Sequence, residues 1–286
     1  MYRKILGNIS FEVAEKGAEL KSLKIDGKEI MWEANEKYWG KTSPVLFPFV
    51  GSLKDNRYTY EGKEYQGIGR HGFARDMEFI MVEEGEDFFR FLLKSNENTL
   101  NIYPFEFELY ITYKIMDKGI KIQYEVHNLK NELMYFSLGA HPAFECSNDF
   151  SYEDFYLEFE KKETLDLYKL DGALINPNSI DYIKNEKIIN LNKDIFKDDA
   201  LVFKDFSSKY ICLKNKNIEE YIKVSLEGFK WLGIWAPVNA PFVCIEPWLG
   251  VADFTNHNGN LVDKIGVNKL DKKAKFKVSI LISLEK

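Results

Sequence analysis

The sequence is poor in the residues that mark several common classes of protein. It has three cysteines, Cys146, Cys212 and Cys244, an odd number with no metal-type spacing. Each stands beside apolar neighbours, so they read as buried free thiols in a reducing compartment, and the chain as cytoplasmic. The four histidines are His71, His127, His141 and His257. No two have the spacing of a helical zinc site, so no metal is expected. No apolar run approaches a membrane span, and Met1-Tyr2-Arg3-Lys4 leads into a polar-interrupted strand, unlike a signal segment. Net charge is −6 with Lys and Glu interspersed, and no basic stripe suggests nucleic acid as a partner. There is no Gly-rich phosphate loop, no Gly-x-Ser-x-Gly elbow, no long helical pattern and no Gly/Pro/Ser linker.

Arginine is also scarce: five against 34 lysines. Three of the five, Arg57, Arg70 and Arg75, fall in one short stretch around His71. Lysine serves wherever a bare cation suffices, whereas arginine is needed where a planar fork must meet paired oxygens. The cluster is a candidate site by composition, against the alternative of structural ion pairs.

Aromatic residues are abundant, with 22 Phe and 16 Tyr. They favour strands and supply flat faces on which sugars stack, although core filling accounts for most of them. Period-two alternation puts the odd positions from Phe105 to Ile115 on one apolar face, and the even positions from Phe276 to Leu284 on another. Asp26-Gly27 and Glu61-Gly62 are hairpin turn signals between strand-like runs. Ser43 to Gly51 is apolar but carries two prolines, which fits a buried irregular connector or a short edge strand. Leu133 to Leu138, Trp231 to Ala236 and Phe242 to Ile245 read as further strands, with a short helix near Asp194 to Asp198. Many short strands with regular turns predict an all-β chain, a large antiparallel β-sandwich formed by residues 1–286 as one domain.

Four polar stretches are held by stiff neighbours: Asp55-Asn56-Arg57, Gly69 to Asp76, Ala140-His141-Pro142, and Cys244 to Gly250. A residue before proline is pushed into extended backbone, so His141 is expected at the end of a strand. Histidine suits proton transfer near neutral pH. Glu246 repeats the device before Pro247, after the apolar Val243-Cys244-Ile245. Burial there would raise its pKa toward that of a useful base. The competing reading of each is structural, a satisfied core histidine and a buried ion-paired glutamate.

The ordered set Asn56-Arg57, His71-Gly72-Phe73-Ala74-Arg75, Gly139-Ala140-His141-Pro142-Ala143-Phe144 and Glu246-Pro247-Trp248 resembles the aldose 1-epimerase (galactose mutarotase) family, nearest its LacX-like branch. The resemblance spans essentially the whole chain. It implies the galactose mutarotase-like supersandwich fold and interconversion of the α and β anomers of a free aldose, with no cofactor. It further implies that His141 is the acid at the ring oxygen and Glu246 the base at the C1 hydroxyl. His71 matches a second histidine near the ring oxygen, Arg57 an arginine on the sugar hydroxyls, and Asp199 a hydroxyl-binding aspartate. Asn56 and Arg75 stand beside these motifs as further contacts. Trp235 or Trp248 would serve as the aromatic platform. Where better-known members have Leu-His-Gly-Gly, this chain has His71-Gly72-Phe73-Ala74-Arg75, which bears on the choice of sugar. Two alternatives remain at this point: a hexose-6-phosphate mutarotase, with Arg70 and Arg75 as phosphate cations, or a sugar-binding or regulatory protein without catalysis. A glycosidase would want two facing carboxylates, and one candidate is evident.

Overall fold

The computed structural model describes residues 1–146 and 150–286. Its centre is a nine-stranded antiparallel sheet in the order Ile180–Asn190, Phe155–Leu167, Tyr210–Asn215, Tyr221–Ser225, Lys275–Glu285, Gly119–Asn128, Phe107–Met116, Phe88–Lys94, Ile80–Glu84. A six-stranded sheet runs Leu201–Lys204, Trp231–Trp235, Phe242–Leu249, Leu138–Ala140, Val45–Leu46, with Ala143–Glu145 also pairing onto Phe242–Leu249. A four-stranded N-terminal sheet and three two-stranded ribbons complete the architecture.

Alternation does the sorting. In Phe107–Met116 every odd residue is buried, and in Lys275–Glu285 Val278, Ile280 and Ile282 turn inward, as the period-two pattern predicts. Ile111, Ile122 and Ile280 of the large sheet share one contiguous apolar cluster with Leu232, Ile234 and Ile245 of the smaller one. On the opposite face of the smaller sheet, the even positions of Phe242–Leu249 are left for other work.

Both hairpin signals hold. Asp26 and Gly27 have φ of 52° and 79°, Glu61 and Gly62 49° and 75°, the left-handed pair that a two-residue hairpin turn demands. The proline-bearing stretch forms the short edge strand Val45–Leu46. Two expectations fail. Residues 193–198 form turns, not a helix. Among the described residues the one α-helix is Glu97–Ile102, opened by a reciprocal cap between Asn96 and Thr99. Nor does the strand before Glu246 stop there: Phe242–Leu249 runs through Glu246 and Pro247.

The three cysteines are buried and free. Among the described residues no helix is long and apolar enough to cross a membrane.

Candidate active site

The register explains how a proline can sit inside Phe242–Leu249. On one side Gly139 pairs with Trp248 and Ala143 with Cys244. Counting inward from both pairs, His141 faces Glu246. The two residue–proline steps, His141-Pro142 and Glu246-Pro247, therefore fall at one interruption of the ladder, where missing backbone donors cost little. The result is a histidine Nε2 3.1 Å from Glu246 Oε2, with His141 5% and Glu246 2% exposed.

The pair is close but not satisfied. Glu246 Oε2 and His141 Nδ1 make no hydrogen bond among the described residues. Buried polar atoms normally find partners, so orphans on both members mark a site built for something that comes and goes.

His71 is the third polar wall. Its N–H donates to the Gly51 carbonyl (2.8 Å), and the Gly51 N–H donates back to His71 Nδ1 (3.1 Å). Because Nδ1 accepts, the neutral ring carries its proton on Nε2. The clamp holds His71 at φ 70°, a strained conformation for a non-glycine residue. Gly72 follows at φ 77°, where a Cβ would meet the Phe47 carbonyl oxygen at 2.2 Å. The His71 and His141 rings meet edge to face at 5.6 Å.

Aromatic rings fix His141 on its other sides. Trp39 stacks on it at 4.8 Å, and Trp235 meets it edge-on at 5.9 Å. Trp39 is itself anchored, its carbonyl accepting from Trp32 Nε1 (2.9 Å). Gly233 and Gly139 leave room for Trp248: a Cβ on Gly233 would lie 2.3 Å from the Trp248 ring, and one on Gly139 2.7 Å.

Burial decides the protonation of the empty site. It holds Glu246 well above the usual carboxylate range, with Arg70 pulling back down and Asp199 adding to the rise. Burial drives His141 down to about 3, helped by Arg75 and Arg70. It also drives His71 far below 6.5, helped by His141, Arg70 and Arg75. Burial thus favours the uncharged form of each member of the His141–Glu246 pair.

These side chains open onto one cleft of roughly 180 Å³, lined by Trp39, Arg70, His71, Arg75, His141, Ala200, Trp235, Glu246 and Trp248. His141, Glu246, His71, Arg75 and Trp235, all singled out from the sequence, come together here. Asp199 stands at the edge beside Ala200, near enough to Glu246 to raise its pKa. Its neighbour Asp198 turns outward to Lys169 (3.3 Å).

Arg57 and Asn56 are the corrections. Asp55 and Asn56 both take left-handed φ, 54° each, and send the chain into a separate hairpin, Arg57–Tyr60 with Lys63–Gln66. Alternation there turns Tyr58 and Tyr60 inward and Arg57 out, where its guanidinium reaches Glu64 (3.2 Å) and approaches Asp55 (3.8 Å). Arg57 lines a different surface hollow, with Lys54 and His257. The arginine at the cleft mouth is Arg70, exposed and free of any salt bridge among the described residues. Trp39 escaped the sequence reading altogether, since it sits in a polar stretch with no periodic signal.

The chain is similar in sequence and fold to known proteins. A model of the aldose 1-epimerase family matches residues 5–264. The plasmid-borne LacX protein of Lactococcus lactis is 33% identical over 266 residues, 89% of each chain. A solved galactose mutarotase related enzyme from Lactobacillus acidophilus superposes with a TM-score of 0.94 at 33% identity, covering 100% of this chain and 97% of its own. A galactose mutarotase-like protein from Lactobacillus casei gives 0.94 at 26% identity, with both chains covered completely. The chain belongs to the aldose 1-epimerase family.

Proposed function

We propose that this protein is a mutarotase that interconverts the α and β anomers of a free aldohexose by acid–base ring opening. The observation that carries the reading is the 3.1 Å approach of His141 Nε2 to Glu246 Oε2 on the wall of a cleft sized for one sugar ring. Ring opening moves one proton from O1 to the ring oxygen, which an adjacent base and acid can relay. With sugar bound, its hydroxyls and Arg70 supply the partners that the Glu246 carboxylate lacks, favouring its ionised form against His141 as imidazolium.

The Glu246 carboxylate then takes the O1 proton. The C1–O1 double bond forms as the C1–ring oxygen bond breaks, and His141 delivers its proton to the ring oxygen. Rotation about C1–C2 presents the other carbonyl face, and the two groups exchange roles to close the ring. Both groups finish the opening step uncharged, the forms that burial favours. Each positioned acid or base contributes about 10²–10⁴ in rate. His71 offers its Nε2–H to the ring-oxygen region. Arg70 and Asp199 meet hydroxyls, and Trp235 provides the platform.

A second reading rests on the charge of the cleft. Arg70 and Arg75 both line it, and Arg75 Nε, 3.5 Å from Asp76 Oδ2, is buried with no hydrogen-bond partner among the described residues. Two guanidiniums exceed the needs of a neutral sugar and suit a hexose 6-phosphate. Anomer-resolved NMR exchange over glucose, galactose and glucose 6-phosphate separates the readings. Acceleration of the free hexoses supports the first, and acceleration of the phosphate ester alone replaces it with the second. No acceleration of any of them leaves a non-catalytic sugar-binding protein.

A further inference from the structure

One cysteine belongs to this neighbourhood and has no part in ring opening. Cys244 lies two residues before Glu246 on the same strand, so both side chains project from the same face. Its cross-strand partner is Ala143, two residues beyond His141. Cys244 Sγ, a ring nitrogen of His141 and a carboxylate oxygen of Glu246 all lie within 4.8 Å of one another, and all three residues are buried. Among the described residues this is the one such grouping of His, Cys, Asp or Glu.

We propose that His141, Cys244 and Glu246 form a tripodal site for a thiophilic divalent cation, Zn²⁺ above all, that blocks the acid–base pair. Two ligands at i and i+2 of one strand and a third from across the ladder make a compact three-point base. His141 and Glu246 line the cleft, so a fourth position beside them would open to it, as in an open zinc site. Tetrahedral zinc with these ligand types needs donor atoms roughly 3.3–3.7 Å apart, given bonds of about 2.0–2.3 Å. His141 and Glu246 already stand at 3.1 Å, so Cys244 needs to draw in by about 1.5 Å at most. Orphaned atoms on two of the three point to a ligand: His141 Nδ1 and Glu246 Oε2 are buried with no hydrogen-bond partner among the described residues.

The donor set selects the ion. A thiolate and an imidazole favour zinc over magnesium or calcium, which want oxygen ligands. The charge also closes. Ligation takes Cys244 as the thiolate, Glu246 as the carboxylate and His141 as the neutral imidazole. A dication against one thiolate and one carboxylate leaves the buried site neutral. Without metal, burial holds the Cys244 thiol well above its usual pKa, so it rests as an inert protonated side chain.

Metal binding does not depend on the proposed function; only the expected inhibition does. Titrating Co²⁺ into the whole protein should show one equivalent with a near-ultraviolet thiolate-to-cobalt band. Cys244→Ala should abolish that band and weaken Zn²⁺ at least about 100-fold, more than the loss of an outer-shell partner. Its sugar exchange should persist and no longer respond to Zn²⁺ that inhibits the wild type. Cys146→Ala and Cys212→Ala should keep the band. Cys244→Ser, which preserves volume, serves if the alanine variant does not fold. No band in the wild type, or an unchanged band in the Cys244 variants, overturns the site. A wild type that binds Co²⁺ yet accelerates no sugar would overturn the mutarotase reading and leave the site standing.

Discussion

Two of the buried acid–base pairs in this molecule are built to opposite rules. Asp253 and Lys264 are each about 1% exposed in their side chains, and every donor and acceptor finds a partner nearby. Lys264 Nζ donates to Asp253 Oδ1 at 2.6 Å, and the Lys54 N–H donates to Oδ2 at 2.9 Å. His141 and Glu246 are also buried and stand 3.1 Å apart, yet each keeps an atom with no hydrogen-bond partner among the described residues. Burial therefore does not distinguish a site from a strut. The distinction is whether the surrounding structure completes the hydrogen bonding or leaves it for a ligand. The strut also serves the site. Asp253 ties down Ser52 and Lys54, and the adjacent Gly51 clamps His71.

The largest test of that contrast is Glu246→Gln. Sugar exchange should fall by about 10²–10⁴ while the denaturation midpoint holds, because the amide keeps the size and shape of the carboxyl. Wild-type turnover, read by anomer-resolved NMR, would remove Glu246 from the base role. Asp253→Ala should do the reverse. It strands a buried Lys264 and should cost about 3–5 kcal/mol in urea denaturation, with turnover per folded molecule largely kept.

Gly233→Ala falls between these, because its Cβ would collide with the Trp248 ring. A stability loss of about 1–3 kcal/mol is expected, together with a higher KM. Next comes pH. His71 and His141 stay neutral in the fold, whereas the unfolded chain takes up protons below 6.5. The unfolded state binds more protons there, so these histidines make stability fall as pH drops below 6.5. The slope is up to about 1.4 kcal/mol per pH unit for each, and thermal melts of His71→Asn and His141→Asn should be flatter. The smallest effect belongs to Arg57→Ala, an exposed ion pair worth about 0–1 kcal/mol with unchanged KM. Arg70→Ala should raise KM, and the reverse outcome would restore Arg57 to the sugar.

Much of this was legible in the chain, for local reasons. Alternation from Phe105 to Ile115 and the Asp-Gly turn report backbone geometry that neighbours in sequence decide. The two residue–proline steps marked His141 and Glu246 because proline restricts the residue before it. What stayed hidden depends on distant packing. Arg57 and Arg70 are equally plausible forks in a linear string, and the left-handed turn at Asp55 and Asn56 separates them. Trp39 has no signal until it lies on His141. Cys244 looks like any core thiol until Ala143 pairs with it across the ladder. The helix at Glu97–Ile102 was readable in principle, from the Asn96 and Thr99 cap.

The interrupted ladder also has a kinetic side. The residues that meet there come from opposite ends of a stretch about a hundred residues long, and Trp39 and His71 arrive from further upstream. No hairpin or fragment contains the cleft, so early local folding cannot assemble it, and such non-local closure is slow. Sugar exchange regained after dilution from denaturant would thus time the final docking of the smaller sheet, an event that the secondary-structure signal of the early strands passes over.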